Sequence, residues 1–309
     1  MRSLALLLLS VATAFAGSSP FDGRWDITIT GDTSRAWWLG LDGAGTPAAK
    51  GTFESAYNGD LNKIDEISVQ GGKLTLGFRH KDGGREIHDV LVASLQGGKL
   101  VGTEAIEGST SVRHWVGVRA PEITEKDDAT WKAAKPIHLF NGKDTAGWKS
   151  LTPNKTFGWT VENGILKSTG GASNLVSVQK FWNYALHVEF RLGKDSNSGI
   201  GLRARYEVQI LDDFGRPANT HGNGALYSRI LPSENASKPA GEWQTYDIRL
   251  VGRQVTVVLN GKKVIDKGEI EGLTAIAADA NEGQPGPLIL QGDHGPVEFR
   301  SVVLTPLTK

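Results

Sequence analysis

The chain of 309 residues contains no cysteine. A disulfide framework, a thiol nucleophile and a zinc site built on thiolates are therefore excluded. An excess of one charge is also absent, because 34 Lys and Arg balance 34 Asp and Glu. This balance gives no indication of nucleic acid as a partner. Stretches that favour helices are scarce, whereas the 39 glycines are typical of many strands joined by tight turns.

The N-terminus has the features of a secretory signal peptide. Arg2 supplies a positive charge, the segment Leu4–Phe15 is almost entirely apolar, and Ala14-Phe15-Ala16 has the small-x-small form of a cleavage site. We predict a signal peptide over residues 1–16, cleaved after Ala16, and hence a secreted or periplasmic protein. The apolar run is too short to span a bilayer. An exported chain without cysteine favours a bacterial periplasm or cell exterior.

Residues 20–120 predict a first domain of short antiparallel strands. In Arg24–Thr30, apolar residues alternate with polar ones, as expected of a half-buried strand. Seven similar segments follow, separated by turn signals such as Asp42-Gly43 and Gly97-Gly98. The pattern predicts a meander closed into a small antiparallel barrel, lipocalin-like in its Gly-x-Trp start. A charged stretch bracketed by Pro121 and Pro136 predicts a linker over residues 121–135.

Residues 136–309 predict a second all-β domain. Asn163-Gly164 and Asn260-Gly261 each separate two apolar runs, which indicates hairpins with type I′ turns. Ala275–Ala280 is the only segment with a helical tendency. So many antiparallel strands in one domain predict a sandwich of two sheets, one of them curved.

The stretch Arg203–Asp212 organises this second domain. Side chains on a strand switch face at every residue. One face is therefore apolar, and the other carries four polar side chains in succession: Arg203, Arg205, Glu207 and Gln209. A solvated face would look similar. Other strands downstream repeat the pattern, however, so we interpret these polar faces as the floor of one cleft.

Seven segments of this domain resemble the 3-keto-disaccharide hydrolase domain family. The resemblance covers about residues 136–307 in the family's order and is carried by the following motifs: Phe140-Asn141-Gly142-Lys143-Asp144 with Gly147-Trp148, Asn197-Ser198-Gly199-Ile200, Tyr206-Glu207-Val208-Gln209-Ile210-Leu211-Asp212, Gly224-Ala225-Leu226-Tyr227, Pro239-Ala240-Gly241-Glu242-Trp243, Leu259-Asn260-Gly261, and Leu290-Gln291-Gly292-Asp293-His294-Gly295 with Glu298-Phe299-Arg300. Gln244 and Ser301 stand where the family often has Asn. The resemblance implies a concanavalin-A-like jelly roll and action on oxidised glycosides, chiefly 3-keto-glucosides.

Cleavage of such a glycoside needs three groups: a base at C2, a positive group or metal at the C3 oxygen, and an acid at the leaving oxygen. We predict His294 and Glu207 as candidate bases, because His titrates near neutral pH and Asp293 can orient it. Arg203 or Arg191 could stabilise the enolate. An ion pair with Arg203 or Arg205 would hold Glu207 ionised, which favours it as a base or metal ligand over a proton donor.

Cofactors are left open by the sequence, with a divalent metal as one option. Glu207, Asp212 and His294 are candidate ligands, although no linear ligand motif is present. The remaining polar and aromatic candidates are assigned to substrate binding: Gln209, Asp212, Tyr227, Trp243, Gln291, Arg191 and His221.

The sequence therefore predicts an exported enzyme that cleaves 3-keto-glycosides, with an oligosaccharide or glycoside as its partner. No nucleic acid and no membrane span are expected, and the oligomeric state is not indicated. A non-catalytic carbohydrate-binding module of the same shape is the first alternative. A structural export protein whose N-terminal barrel recruits a partner is the second.

Overall fold

The computed structural model describes residues 19–32, 35–55 and 59–309, and these contain strands, turns and irregular segments but no helix. The all-β class predicted from the sequence is confirmed for this part of the chain. It accordingly offers no helix long and apolar enough to cross a membrane. The predicted signal peptide, residues 1–16, lies outside the described residues.

Nine antiparallel strands form the first sheet. They are β1 (Gly23–Ile29), β2 (Ala36–Asp42), β3 (Lys50–Glu54), β4 (Leu61–Lys63), β5 (Glu66–Gln70), β6 (Lys73–Asp82), β7 (Arg85–Gln96), β8 (Lys99–Ile106) and β9 (Arg113–Arg119). Their order is β4-β3-β2-β1-β9-β8-β7-β6-β5. The edge strands β4 and β5 follow each other in the chain, but no ladder joins them within the described ranges. Closure into a lipocalin-like barrel therefore stays a prediction.

Aromatic side chains fill the core of this first sheet. The indoles of Trp25, Trp37 and Trp115 are buried against Phe53 and Phe78. Burying a large apolar side chain stabilises the fold by roughly 1.5–3 kcal/mol. The alternation that predicted these strands therefore reflects one face turned toward a shared aromatic core.

Fourteen further strands build two more sheets. They are β10 (Lys132–Ala133), β11 (Ile137–His138), β12 (Trp148–Ser150), β13 (Trp159–Glu162), β14 (Ile165–Ser168), β15 (Leu175–Phe181), β16 (Tyr184–Leu192), β17 (Asn197–Leu202), β18 (Tyr206–Leu211), β19 (Gln244–Val251), β20 (Gln254–Leu259), β21 (Lys262–Glu269), β22 (Gly286–Leu290) and β23 (Val297–Thr308). One sheet runs β13-β14-β23-β16-β19-β20-β21, with β10 and β11 also on β23. The other runs β12-β15-β22-β17-β18.

The two sheets share one apolar core and so form a sandwich, as predicted. Leu186, Val188 and Phe190 of β16 lie in the same buried cluster as Val208 and Ile210 of β18. A strand buried on one face needs another layer to cover that face, and here each sheet covers the other.

Both predicted type I′ hairpins are confirmed. Asn163 and Gly164 have φ of 51° and 78°, and Asn260 and Gly261 have φ of 51° and 80°. Two positive φ angles in succession define this turn. The turns connect β13 to β14 and β20 to β21.

Other local predictions need correction. The glycine-rich sequence Asn197–Gly201 predicts a turn, but these residues form part of strand β17. The sequence Gly222–Ser228 predicts a strand, but these residues form a loop that makes single bridges at Leu226. The segment Ala275–Ala280 contains a turn rather than a helix: the Ala278 N–H donates to the Ala204 carbonyl, and the Ala277 carbonyl accepts from the Ala36 N–H. The strand β15 carries Gln179 and Lys180 among apolar residues, which hid its alternation.

The first sheet packs directly onto the sandwich. Trp38 of β2 lies in the core cluster of the sandwich. Glu54 of β3 forms a buried ion pair with Arg229, N···O 2.9 Å. The Ala36 N–H donates to the Ala277 carbonyl at 2.9 Å. These contacts bring the first sheet to the rim of the cavity described next.

Candidate active site

A cavity of about 520 Å³ opens on the outer face of the five-stranded sheet. The residues that line it are Asp32, Arg35, Gly59, Leu151, Thr152, Lys155, Asn174, Asn197, Glu207, Gln209, Tyr227, Ala275, Ile276, Ala277, Gln291, Asp293 and His294. Its size lies in the range of small-molecule sites. The strand carrying Glu207 and Gln209 thus meets the loop carrying His294 in one hollow, as the cleft hypothesis requires.

Strand β18 supplies two side chains of the cavity floor. Its Val208 points into the sandwich core, whereas Glu207 and Gln209 point to the cavity, because side chains alternate along a strand. Glycines face both residues on β17, with Gly201 opposite Glu207 and Gly199 opposite Gln209. A Cβ on Gly199 would lie 2.2 Å from Oε1 of Glu207, so this glycine makes room for the carboxyl group.

Glu207 is 4% exposed, and its carboxyl group has no hydrogen bond or ion pair with any described residue. Burial raises the pKa of Glu207 to about 8, and the negative charges of Glu54 and Asp293 add to the shift. A carboxyl group with this pKa is mostly protonated at neutral pH. The sequence interpretation, in which an arginine holds Glu207 ionised, is therefore wrong, and the group is suited to donate a proton.

Arg203 and Arg205 bind elsewhere. The Arg203 guanidinium donates to the carbonyls of Trp182 (2.6 Å) and Gly252 (2.9 Å) and to Oδ1 of Asn183 (2.9 Å). It also stacks on the Trp182 ring, 3.8 Å from the centroid. The predicted common polar face ends before Glu207 because Arg203 and Ala204 have positive φ, which turns the chain ahead of β18. Arg203 thus lies outside the cavity and is not placed to contact a sugar there.

Arg205 is likewise held by partners outside the cavity. Its guanidinium pairs with Asp279 at 2.8 Å and donates to the Gln284 carbonyl at 2.6 Å. Both partners belong to the loop before β22. Arg203 therefore ties the start of β18 to the turns before β16 and β20, and Arg205 ties it to the loop before β22.

Two amides of the cavity floor carry unpartnered oxygens. Oε1 of Gln209 and Oε1 of Gln291 are buried and have no hydrogen-bond donor within the described part of the chain. Gln209 uses its Nε2 to donate to the His221 carbonyl at 3.3 Å. Buried polar atoms are nearly always hydrogen-bonded in folded proteins, so two orphans in one cavity indicate a polar ligand.

His294 and Asp293 form a dyad at the cavity wall. Nδ1 of His294 lies 2.9 Å from Oδ1 of Asp293, and Nζ of Lys155 lies 3.6 Å from Oδ2. Burial opposes ionisation of Asp293, but the His294 hydrogen bond and the charges of His294 and Lys155 lower its pKa below the usual value. Oδ1 of Asn174 accepts from the backbone N–H groups of Gly292 (2.9 Å) and Asp293 (3.3 Å) and so fixes the turn. The dyad orients the imidazole with Nε2 left for a substrate.

Tyr227 is the one predicted aromatic contact that lies in the cavity. Burial and the charge of Glu207 raise the pKa of its hydroxyl. The ring packs against His221, with centroids 4.7 Å apart. His221 itself lies behind the cavity, where Nε2 is 2.9 Å from Oδ1 of Asp60 and 2.8 Å from Oγ of Ser228.

Three other predicted contacts lie outside the cavity. Asp212 accepts from the Asp195 N–H at 2.8 Å and closes the turn before β17. Arg191 pairs with Glu298, with Nε 2.6 Å from Oε2. Trp243 lies beneath the guanidinium of Arg191, which is 4.8 Å from the ring centroid. Arg191 lies on the other sheet of the sandwich, Trp243 directly precedes β19 of that sheet, and Asp212 lies just beyond the end of β18, so the strand-face pattern alone could not place them.

No cluster of three or more His, Asp or Glu side chains able to hold a metal ion exists among the described residues. Of the three candidate ligands, Glu207 and His294 line the cavity but Asp212 does not. The predicted trio therefore does not assemble.

Several cavity residues were not predicted. Asn174 and Lys155 come from loops whose composition gave no signal. The glycine-rich sequence that begins at Asn197 predicts a turn, so Asn197 was not a candidate site residue. Asp32 and Arg35 come from the first sheet, and only long-range packing brings them to the site.

The model of the 3-keto-alpha-glucoside-1,2-lyase-like domain family matches residues 135–305. The match covers more than half of the chain, and the protein therefore belongs to this family.

A curated relative is the 3-keto-disaccharide hydrolase of Bacteroides thetaiotaomicron, 27% identical over 169 residues, which are 42% of this chain and 57% of that protein. The chain thus matches little more than half the length of that relative. Two solved structures from Parabacteroides distasonis, provisionally named glycosyl hydrolases, are 26% and 24% identical with TM-scores of 0.49 each. The match to the first structure covers 60% of this chain and 90% of the Parabacteroides chain. The match to the second covers 56% of this chain and 94% of the Parabacteroides chain.

Proposed function

We propose that the protein cleaves 3-keto-glycosides, such as 3-keto-glucosides and keto-disaccharides, by deprotonation at C2 and elimination at C1. One observation carries this proposal: a buried, unpaired carboxyl group with a raised pKa shares a cavity with an Asp-His dyad. When the surroundings of two titratable groups push their pKa values apart, one group can act as an acid and the other as a base. Membership of the family and the name of the curated relative support the substrate class.

His294 acts as the base in this proposal. The 3-keto group acidifies the C2 proton, which moves to Nε2 while the C2–H electron pair forms the C2=C3 bond of an enolate. Asp293 holds the ring by Nδ1 and stabilises the imidazolium that forms. Lys155, beside Asp293, keeps that carboxylate charged.

Glu207 acts as the acid. The enolate re-forms the C3 carbonyl and expels the C1 oxygen, so a C1=C2 double bond is made and the C1–O bond breaks. The proton of Glu207 goes to the departing oxygen, which neutralises the leaving group. Water can then add across C1=C2, and the net reaction is hydrolysis; without that addition, the product is a 2-hydroxyglycal.

Neutral groups hold the sugar ring in this proposal. Oε1 of Gln209 and Oε1 of Gln291 accept hydrogen bonds from ring hydroxyls, which satisfies both orphan oxygens. With Arg203 outside the cavity, the amides of Asn174 and Asn197 donate to the C3 oxygen in this proposal, and Lys155 and Arg35 are the charged donors of the same lining. Electrostatic stabilisation by pre-placed donors is worth several kcal/mol in a site that excludes water.

Incubation with a 3-keto-glucoside and with the same glucoside unoxidised tests the proposal. We expect release of the aglycone only from the keto compound, and solvent deuterium at C2 of recovered substrate. A parallel incubation with chelator shows whether a metal takes part. Tight binding of either compound without product after long incubation would instead support the carbohydrate-binding module. Export remains part of the proposal on the strength of the N-terminal sequence, and N-terminal sequencing of the mature protein tests it.

A further inference from the structure

The first sheet contributes side chains to the cavity. Asp32 follows β1, Arg35 precedes β2, and Gly59 follows β3, and all three line the cavity. None of them lies within the family match at residues 135–305. A part of the site is thus specific to this chain's first sheet.

The backbone beside Arg35 is fixed to the cavity wall. The next residue, Ala36, donates its N–H to the carbonyl of Ala277 at 2.9 Å, and Ala277 itself lines the cavity. Two residues further on, Trp38 packs so closely on Gly272 that a Cβ there would lie 2.1 Å from Nε1. Arg35 therefore enters the cavity from an anchored position.

A buried ion pair supports the same contact. The carboxylate of Glu54 and the guanidinium of Arg229 are 2.9 Å apart, with side chains 2% and 3% exposed. Glu54 stands opposite Trp38 in the β2–β3 ladder, and Arg229 lies over the Trp38 ring, 4.8 Å from its centroid. Removing one partner of such a pair strands a buried charge, so the first sheet has a defined seat on the sandwich.

Asp32 and Arg35 belong to the part of the cavity wall that the first sheet supplies, whereas Glu207 and Gln209 form its floor. The charges that act on Glu207 come from Glu54 and Asp293, and Arg35 is not among them. Arg35 and Asp32 pair loosely, with Nε 3.9 Å from Oδ2. A guanidinium donates in a fork and a carboxylate only accepts, so together they match the neighbouring hydroxyls of a sugar ring.

We infer that Asp32 and Arg35 form the subsite for the leaving group, and that this subsite takes a hydroxylated sugar unit rather than a small or apolar aglycone. The inference rests on the proposed function for the direction of the bond that breaks. The keto ring lies over Glu207 and Gln209, and the departing unit extends to the wall built by the first sheet.

Two substrates distinguish a leaving-group subsite from a general effect on catalysis: a 3-keto-disaccharide and a methyl 3-keto-glucoside. In the full chain, Arg35→Ala should lower kcat/KM for the disaccharide about 10- to 100-fold, the loss expected for hydrogen bonds to a charged group. The methyl glycoside should lose less than about 3-fold, because it does not reach the subsite. Asp32→Asn should show the same selectivity with a smaller effect. Arg79→Ala is the matched control: Arg79 lies on the same sheet outside the cavity, is 42% exposed against 44% for Arg35, and also pairs with one carboxylate.

Equal losses on both substrates, or no loss, would overturn the inference. Calorimetry with unoxidised disaccharide and methyl glucoside tests the subsite without turnover. Weaker disaccharide binding by Arg35→Ala, with methyl glucoside unchanged, supports the subsite even if neither keto compound is cleaved. In that case the proposed function fails and the subsite stands as a sugar-binding site.

Discussion

The stretch Arg203–Gln209 contains two pairs of polar residues that differ in one respect. The guanidinium groups of Arg203 and Arg205 are surrounded by acceptors from Trp182, Gly252 and Asp279. Oε1 of Gln209 has no donor in the described part of the chain, and the Glu207 carboxyl group is influenced by burial and by the negative charges of Glu54 and Asp293 rather than by a hydrogen bond. All four side chains are buried. Burial therefore does not separate structural from functional residues here, whereas hydrogen-bond satisfaction does.

The difference has an energetic meaning. A satisfied buried charge contributes to stability because removing it leaves its acceptors unpaired. An unsatisfied buried group lowers stability and persists where a ligand completes it. We therefore expect the first pair to control folding and the second pair to control turnover.

The largest expected effect is on turnover. Glu207→Gln keeps the size of the side chain but removes the proton donor, so kcat for a 3-keto-disaccharide should fall about 10²- to 10⁴-fold. The measurement is steady-state release of the leaving group at neutral pH. Glu104→Gln is the matched control, because Glu104 is equally buried at 4% but lies on β8 outside the cavity. Full activity in Glu207→Gln would remove Glu207 from the chemistry.

The next effect is on folding. Arg203→Ala takes the guanidinium donor from two carbonyls and from the Asn183 amide oxygen, which keeps only the Gly252 N–H, so the free energy of unfolding should fall by about 3 kcal/mol. Denaturant titration measures it, with the exposed Arg216→Ala as a control that should change stability by less than about 0.5 kcal/mol. Activity per folded molecule should stay within about 3-fold of the parent, because Arg203 does not line the cavity. A stable but inactive Arg203→Ala would return Arg203 to the site.

Much of the fold could be predicted from the sequence because its causes are local. Alternation gave β1, β16 and β19, and both Asn-Gly turns have the positive φ angles that the hairpins require. The short strand β4 was missed because three residues carry too little pattern. Gly199 and Gly201 gave β17 the sequence signature of a turn. In the structure the absence of a Cβ atom at these glycines makes space for Glu207.

The site was harder to predict because its properties are not local. The strand pattern and the family motifs predict that Glu207, Gln209, Gln291 and His294 share one cleft, and all four line the cavity. The partners of Arg203 come from loops about 20 and 50 residues away in the chain, and the sequence does not show that they are close. An ion pair with Glu207, which lies on the same face of the predicted strand, was the simpler expectation. The protonation state of Glu207 depends on that absent partner and could not be read from the strand.

The smallest effect is the pH dependence of stability, and it tests the same difference without a substrate. Burial raises the pKa of Glu207 from its ordinary value of 4.5 to about 8 in the folded protein. The folded state therefore holds a proton that the unfolded state has lost between these pH values. The stability linked to that proton is full below pH 4.5 and is lost as the pH rises through 8, at up to about 1.4 kcal/mol per pH unit.

Glu207→Gln removes this titration. The unfolding free energy of the parent minus that of the variant should therefore fall steadily when denaturant titrations are compared at increasing pH inside that window. Gln209→Ala provides a control at the neighbouring floor position, since it changes the cavity without adding or removing a titratable group. Taking differences cancels the titration of other buried carboxyl groups, such as Asp26, in both proteins. A difference that does not vary with pH would mean that Glu207 is ionised in the folded protein, and the acid of the proposed mechanism would then have to be another residue.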